Sequence, residues 1–297
     1  ETQIDLTNRL LVYKIVTSSI PYLIFTRDEK YRPLLSVFPD AVLIQLGKEF
    51  IINPLDAEGT DAEQYISLIL SDFENAFPLN DEQVNMLFAI LHDVYAESKT
   101  PTLAMLKEHV DDIIVSGRET LGRTRLLEGV LSVLTPLLAG NAAEALSGSS
   151  TIQFESFLDE NMPLTIIEFK GIADISAVRF IQGMILAKMY ALLASNQSAT
   201  PVYDQRMLLL EESELFFKQG NLIRMRSLNS PSENIWKWVD DLRKLGLGLH
   251  ISTTKTIRVD EQVFGNMGTK IAHRITKKDD AYIIAKHMNF EHRLLGR

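Results

Sequence analysis

Apolar and polar positions along this chain follow two alternating patterns, one helical and one made of short apolar runs. Residues 4–16 place their apolar side chains on one broad face and predict a helix. Apolar runs at residues 20–25 and 41–46, bounded by turn residues, predict two buried strands. Pro21 is compatible with the first strand, because proline is tolerated at the first position of a strand.

Helical spacing alone continues through residues 61–146. Asn80 and Gln83 stand three residues apart ahead of a helical apolar period, which is the spacing of a capping box. Thr102 has the position of an N-cap before a further helix. Residues 139–150 are small and polar, and predict a linker at the end of this helical stretch.

Strand and helix patterns alternate again in the rest of the chain. These segments are a strand at 164–169, a helix at 174–194, and strands at 207–210, 247–252 and 270–275. Between them, Ser230-Pro-Ser-Glu233 has the S-x-x-E capping box with proline at the first helical position. This motif predicts a helix that continues past Leu242.

Strands that alternate with helices predict an α/β fold with a mostly parallel sheet. The helical stretch interrupts this alternation, so the pattern predicts one sheet domain with an all-helical insertion. Residues 1–60 form the first part of the sheet domain, residues 61–150 the insertion, and residues 151–297 the second part.

The composition is that of an ordinary globular protein, with 46% hydrophobic and 23% charged residues. The chain has no cysteine, which excludes disulfides, thiolate metal sites and a cysteine nucleophile, and fits a cytoplasmic protein. The N-terminus has neither the basic nor the apolar region of a signal peptide. Lys188 interrupts the apolar run Met184–Leu193, so we expect no membrane insertion.

Charge is distributed unevenly along the chain. Residues 243–297 contain 11 Lys and Arg against 5 Asp and Glu, a balance of +6, and because the whole chain carries −9, the remaining residues carry −15. A basic C-terminal part is typical of a surface that faces phosphates. A solvated surface with no such partner explains the same charges equally well.

The segment Met207–Glu214 is the strongest chemical signal, because four large apolar residues lead directly into Glu211 and Glu212. Open α/β sheets bind ligands at the carboxyl ends of their strands. In P-loop NTPases, an acid at this position lies on the Mg²⁺ shell and the next acid activates water. The segment alone slightly favours the alternative, a buried strand that ends at two solvated glutamates.

Other motifs indicate less. The histidines lack metal-ligand spacing, and His250 and His273 lie in predicted apolar strands, where a core role is expected. No G-x-S-x-G motif of a serine hydrolase is present. Residues 117–124 read G-x-x-x-x-G-R-T, like a P-loop with arginine in place of lysine, but they lie inside the helical insertion. A helix surface is the favoured interpretation of this segment.

Five segments, in order along nearly the whole chain, match the motifs of one family. They are residues 20–35, Asn53–Asp56, residues 164–195, Met207–Glu212 and residues 245–276. The first two resemble a strand end with the pattern V-x-D-P-H-G-E-Y and a turn with the pattern N-P-L-D. The third and fourth resemble the strand and helix before Walker B and Walker B itself. The last resembles a sensor segment followed by a strand with the pattern N-T-K-I-x-x-R. These motifs belong to the HerA-like branch of the HerA/FtsK ATPases, which is related to the conjugative secretion ATPases.

The resemblance implies a RecA-like α/β fold, with a mostly parallel sheet, helices on both faces and an inserted all-helical subdomain. It implies ATP and Mg²⁺ as ligands, with Glu211 at the metal and Glu212 as the catalytic base. Thr254, in the sensor segment, is implied at the nucleotide. Arg274 or Arg258 would serve as an arginine finger on a neighbouring subunit's nucleotide, while a surface salt bridge is the simpler reading of both, and the favoured one for Arg258.

The chain departs from the family pattern at several polar positions. No G-x-x-x-x-G-K-[ST] occurs in it, and the family's loop would fall at or before Glu1, so either that loop lies upstream or the protein lacks one. Glu211 replaces the Walker B aspartate. Lys30 and Thr26 stand where the H-G-E-Y motif has its glutamate and its leading aspartate. These changes favour weakened or lost hydrolysis in a conserved framework.

Two hypotheses about function follow from the resemblance. The first is an ATP hydrolase of the translocase or helicase type, forming a homo-oligomeric ring, commonly a hexamer, that moves DNA or protein-bound DNA. The second is a degenerate pseudo-ATPase that serves as a structural or regulatory subunit of a nucleic-acid-processing, defence or DNA-transfer complex. A plain DNA-binding module ranks last, because the chain contains no base-reading motif.

Overall fold

A computed structural model describes most of the chain. The described residues are 3–47, 50–152, 154, 157, 162–196, 205–217, 224–227, 230–234 and 241–288. The helices are α1 Gln3–Val16, α2 Ala62–Ala76, α3 Asp81–Glu97, α4 Leu103–Val115, α5 Leu121–Leu134, α6 Gly140–Leu146, α7 Ile175–Asn196, α8 Glu261–Asn266 and α9 Lys278–His287. The strands are β1 Tyr22–Thr26, β2 Val42–Gln45, β3 Leu164–Glu168, β4 Arg206–Leu210, β5 Arg224–Ser227, β6 Ser230–Asn234 and β7 Leu247–Ile251.

Five of the strands form one parallel sheet in the order β2-β3-β1-β4-β7. Strand β1 is central, with β3 and β4 on either side, and every residue of β1 and β3 is buried. A parallel strand covered on both faces is expected to be apolar throughout. The apolar runs predicted as strands at 20–25, 164–169 and 207–210 therefore mark the interior of the sheet.

Helices cover both faces of this sheet, as predicted. On one face, α1 packs Val12 and Val16 in a cluster with Ile24 and Leu209. On the other face, residues of α7 join the cluster that contains Phe25 and Leu208. Successive residues of one strand point to opposite faces, so β1 and β4 each contribute to both clusters.

The helix α7 is almost entirely buried, and it carries a lysine in the core. Lys188 donates hydrogen bonds to the carbonyl oxygen of Asp56 and, at 3.1 Å, to Oε1 of Glu58. Its ammonium also lies 5.2 Å from the ring centroid of Tyr65 and 5.3 Å from that of Phe154. Burial lowers the pKa of Lys188, and the Glu58 carboxylate opposes that shift.

The same helix corrects one expectation from the sequence. Residues Ile175–Ala194 are long and apolar enough to cross a membrane, although Lys188 seemed to interrupt them. However, 78% of the apolar window is buried inside the protein, as in the core helix of an α/β domain. Among the described helices, a second candidate span exists only if Leu121–Leu138 and Gly140–Leu146 are joined, and these two segments are bent by 88° relative to each other.

Helices α2 to α6 follow β2 and share one hydrophobic core with α7 and the sheet. Rings of Phe73 in α2 and Phe180 in α7 lie 4.6 Å apart between centroids. Gly183 permits this close packing, because a Cβ atom there would lie 2.6 Å from Oδ1 of Asp72. The helical stretch is thus packed directly against the sheet domain.

The predicted helix caps of this stretch are confirmed. Asn80 accepts a hydrogen bond from the backbone N–H of Gln83 at 2.9 Å, and the Gln83 side chain accepts from the Asn80 N–H at 3.0 Å. Thr102 accepts from the N–H of Met105 at 3.3 Å and so caps α4. These local bonds satisfy N–H groups that have no partner within their helix.

The predicted linker at residues 139–150 is wrong, because α6 occupies most of it. Ala142, Ala145 and Leu146 are buried there. The backbone N–H of Ile52 donates to the carbonyl oxygen of Ala145 at 2.8 Å, which joins the end of the helical stretch to its beginning. Small residues permit this close contact, so small size here reflects packing and not flexibility.

Two further predictions near the C-terminus are wrong. Residues Ser230–Asn234 form β6, which pairs antiparallel with β5, where the S-x-x-E motif predicted the start of a helix. A four-residue capping signal is weak enough for strand pairing to override it. Residues 270–275 are irregular, so the parallel sheet ends at β7. Of the rest of that predicted helix, residues 235–240 lie outside the described residues, and residues 241–244 are helical as predicted.

We expect Asn80→Ala to lower the free energy of unfolding by about 1 kcal/mol, because it removes the N-cap acceptor of α3. The measurement is urea denaturation followed by circular dichroism. Asn85→Ala is the matched control, since Asn85 is an exposed residue inside the same helix and alanine is the better helix former. Equal losses in both variants would contradict the capping role.

Candidate functional site

The acidic pair lies at the carboxyl ends of the parallel strands, where the sequence predicted it. The backbone N–H of Glu211 donates to the carbonyl oxygen of Phe25 at 3.2 Å, and that of Ser252 donates to the carbonyl oxygen of Leu210 at 3.0 Å. Glu211 therefore lies at the tip of β4, between the ends of β1 and β7. The predicted placement beside Phe25 and Ser252, on an interior strand, is confirmed.

The carboxylate of Glu211 is buried and holds three donors. Oε1 lies 2.6 Å from Nζ of Lys30 and accepts from the hydroxyl of Tyr31 at 3.0 Å. Oε2 accepts from the hydroxyl of Thr26 at 2.7 Å. A buried carboxylate is stable only when it is paired and hydrogen-bonded, and these contacts meet both conditions.

A second layer of side chains holds those donors in place. Asp5 in α1 lies 3.0 Å from Nζ of Lys30. Asn8, also in α1, donates to the hydroxyl of Tyr31 at 3.2 Å and to Oγ of Ser252 at 2.9 Å. Helix α1 is thereby tied to both the β1 side and the β7 side of the site.

These contacts determine the charge states of the two neighbouring donors. Burial alone would lower the pKa of Lys30, but the hydrogen bonds and charges of Glu211 and Asp5 outweigh it and raise the pKa above its usual value. Lys30 therefore remains an ammonium. Burial, reinforced by the charge of Glu211, raises the pKa of the Tyr31 phenol, so Tyr31 keeps its proton and donates it.

Glu212 has the opposite surroundings to Glu211. Its side chain is 45% exposed, and Oε2 lies 3.4 Å from Nη1 of Arg27. The backbone of Glu212 has φ 48°, in the left-handed region that costs a non-glycine residue conformational energy. This turn ends the strand and leaves the second carboxylate in reach of solvent or a ligand.

The sensor segment lies on the far side of the site, after β7. Thr253 donates to Oε2 of Glu214 at 2.7 Å, and Lys255 lies 4.0 Å from Oε1 of the same carboxylate. Thr254, the residue predicted at the nucleotide, is exposed between them. The role of Glu214 was missed by sequence reasoning, although its position three residues after Glu211 indicates the same edge.

Sequence reasoning also missed Glu168, at the tip of β3. Its carboxylate forms a two-point contact with Arg32, from Nε at 2.9 Å and from Nη2 at 2.8 Å. Gln45 donates to the same carboxylate at 3.2 Å. The available signal was the same as for Glu211, a carboxylate that directly follows an apolar strand.

Arg274 does not lie on a strand, so that part of its prediction is wrong. It is exposed in the irregular segment between α8 and α9. Arg258 is exposed at the end of the short 3-10 helix Thr256–Arg258. Within one subunit the structure thus places both arginines on the surface.

The P-loop-like string at residues 117–124 is a turn and a helix start. Gly117 has φ +64° in the turn after α4, and the Thr120 side chain caps α5 by accepting from the N–H of Arg123. Arg123 in turn lies 3.2 Å from Glu119. No strand leads into this turn, so the helix-surface interpretation is confirmed.

The donor set around Glu211 does not fit a Mg²⁺ ion bound directly to it. Mg²⁺ requires near-octahedral oxygen ligands at about 2.0–2.1 Å. Both carboxylate oxygens of Glu211 already accept from protein donors, and one of these is a cation. Across the part of the chain that the structure describes, no group of three or more His, Cys, Asp or Glu side chains is arranged to hold a metal ion.

Comparison with known proteins supports the fold described above. No family model matches the chain, and no curated protein matches it. Among solved structures, VirB4 of Thermoanaerobacter pseudethanolicus is similar with a TM-score of 0.72 and 16% identity, over 100% of this chain and 82% of that one. The bacterial conjugative coupling protein TrwB gives a TM-score of 0.46 and 14% identity, over 93% and 68%.

The likeness to VirB4 extends over the whole chain. It confirms the RecA-like α/β fold that the resemblance to the HerA/FtsK ATPases predicted: a parallel five-stranded sheet with helices on both faces.

His250, on β7, is half-buried, and its ring is hydrogen-bonded within the sheet. Its Nδ1 lies 2.6 Å from the hydroxyl of Tyr22, and burial lowers its pKa to about 4. Burial also raises the pKa of the Tyr22 phenol, so the phenol donates to a neutral imidazole. His273 is different: it lies in the irregular segment and not in the predicted strand.

We expect His250 to make the fold less stable in acid. The ordinary histidine pKa is about 6.5, so between that pH and pH 4 the unfolded chain binds a proton that the folded chain does not. Lowering the pH from 7 to 5 should therefore lower the free energy of unfolding by up to about 2 kcal/mol through this residue alone. This figure is an upper bound, because the ring is partly exposed to solvent.

The measurement is urea denaturation of the protein and of His250→Gln at both pH values. The variant should lose less stability between pH 7 and pH 5 than the parent protein does. His92→Gln, in the helical stretch, is the control and should show the parent's pH dependence. An unchanged pH dependence in His250→Gln would refute the assignment.

Proposed function

We propose that this chain is the RecA-like core of an ATPase of the HerA/FtsK type, in an oligomeric machine that moves DNA. One observation carries the proposal: Glu211 and Glu212 stand at the carboxyl tip of an interior strand, between the ends of β1 and β7. Open α/β sheets bind their ligands at this edge. The likeness to VirB4 over the whole chain supports this fold, and in P-loop NTPases an acidic pair at this position serves phosphate chemistry.

Within this proposal the two glutamates have different tasks. Glu212 is the exposed acid and acts as the general base that orients and deprotonates the attacking water. Glu211 is buried and holds the end of β1, through Thr26, against the end of β4. Arg27, which lies 3.4 Å from Glu212, contributes positive charge next to the base and in reach of phosphate oxygens.

Other exposed side chains complete the proposed ATP site. Thr254, at the end of β7, contacts the nucleotide, and Arg274 reaches the nucleotide of a neighbouring subunit as an arginine finger. Mg²⁺ accompanies ATP in phosphoryl transfer and neutralises its charge. No contact to that ion is assigned to Glu211, because the carboxylate oxygens already serve protein donors.

The assembly that we propose is a homo-oligomeric ring, a hexamer, in the cytoplasm. DNA passes along a surface formed by the basic C-terminal part of each subunit. Among the described residues of that part, the exposed basic ones are Arg243, Lys244, Lys255, Arg258, Arg274, Lys277, Lys278 and Lys286. Partner proteins would be those of a DNA-transfer or defence complex, and no membrane insertion of this chain is involved.

A second candidate function is a pseudo-ATPase subunit, which keeps the fold and the assembly without turnover. The contact of Lys30 with Glu211 at 2.6 Å favours it, because an ammonium there occupies a carboxylate expected to serve the metal. Such a subunit would have a structural or regulatory role in the same kind of complex.

We expect Glu212→Gln to lower steady ATP turnover by about a hundredfold or more, since a general base contributes roughly that factor. The measurement is phosphate release by the full protein, with light scattering to determine the oligomer. Glu63→Gln, an exposed change in the first turn of α2, is the control. Parent protein that assembles but never turns over ATP would select the pseudo-ATPase.

If this surface contacts DNA, the affinity for DNA should fall steeply as the salt concentration rises. Replacing Lys277 and Lys278 with Gln should reduce the slope of log affinity against log salt by about 2, because each lysine at a phosphate contributes about one counterion. Fluorescence anisotropy with a labelled duplex measures this slope. Lys107→Gln, in the helical stretch, should leave it unchanged, and equal slopes in all three proteins would exclude this DNA surface.

A further inference from the structure

The ammonium of Lys30 lies among three carboxylates. Nζ is 2.6 Å from Oε1 of Glu211, 3.0 Å from Oδ1 of Asp5 and 3.6 Å from Oδ2 of Asp28. Oxygen atoms of this kind, gathered around one point, are the surroundings that a bound divalent cation requires. Here the protein places its own cation at that point.

The neighbouring groups hold Lys30 in this position. Glu211 is 6% exposed and comes from the strand tip, while Asp5 comes from α1, so Lys30 links two elements that pack on each other. Tyr31 and Thr26 complete the hydrogen bonds of the Glu211 carboxylate. With the ammonium in place, a divalent ion at Glu211 would have to share an oxygen with a positive charge.

We propose that Lys30 is a tethered cation that replaces a divalent metal at Glu211. This proposal rests on the proposed function and extends it: the edge of the sheet binds the phosphates of ATP without a divalent ion at Glu211. Lysine suits this task because it is a compact point charge with three donors. Its charge also offsets part of the negative charge of Glu211, Asp5 and Asp28, which would otherwise repel phosphate oxygens that arrive at the strand tips.

The first test measures metal binding and needs no nucleotide. Mn²⁺ is titrated into the full protein and followed by electron paramagnetic resonance. The parent protein should have no Mn²⁺ site that Glu211→Gln removes. Lys30→Met should gain a site with a Kd at least tenfold lower than any in the parent, and adding Glu211→Gln to it should abolish that site.

Two controls keep this test decisive. Lys107→Met removes an ion-paired lysine from the helical stretch and should gain no Mn²⁺ site. If Lys30→Met does not fold, Lys30→Gln serves instead, because its neutral amide still donates to Glu211. A parent Mn²⁺ site that Glu211→Gln abolishes would overturn the proposal, and so would the absence of a gained site in the folded Lys30 variant.

The second test separates this proposal from the proposed function. ATP affinity is measured by calorimetry in Mg²⁺ and in EDTA. In EDTA, Lys30→Met should bind ATP at least tenfold more weakly than the parent protein does. Equal ATP affinities of the parent protein and Lys30→Met in EDTA would overturn the role of Lys30. Absence of ATP binding in both buffers would count against the proposed function, and the Mn²⁺ titration would then decide the tethered cation alone.

Discussion

The neutralisation of one buried carboxylate is the constraint on which this edge of the sheet depends. Helices on both faces keep the parallel strands dry, and a carboxylate at the end of such a strand is unstable unless it is paired and hydrogen-bonded. Glu211 obtains its partners from Lys30, Tyr31 and Thr26. All three lie on β1 or just after it, so the pairing of β1 with β4 brings the donors to the acceptor.

Two adjacent acids acquire different chemistry from this arrangement. Glu211 continues the strand and points into the packed edge, whereas the left-handed backbone of Glu212 turns the chain and exposes the next carboxylate. The pair is therefore one structural group and one group available to a ligand. A reading based on residue type alone would treat them as equivalent, and burial is what separates them.

Much of the fold was predictable because its signals are local. Interior strands are apolar runs, and the capping box of Asn80 contains its own partners within four residues. Signals of similar length failed where contact with another segment decides: residues 230–234 pair with the neighbouring strand β5, and residues 270–275 are irregular. The contact of Lys30 with Glu211 belongs to the second kind. Lys30 stands where the HerA-like motif that the chain resembles has a glutamate, but only the sheet order brings its ammonium to the carboxylate.

Helix α1 has a mechanical consequence through a single amide. Asn8 bridges Tyr31 and Ser252, and Asp5, one turn earlier, holds Lys30. Helix α1 therefore connects the end of β1 with the end of β7 through its own side chains. A displacement of that helix strains the amide bridge and the lysine contact together, so a force applied at the start of the chain is felt at the end of the last sheet strand.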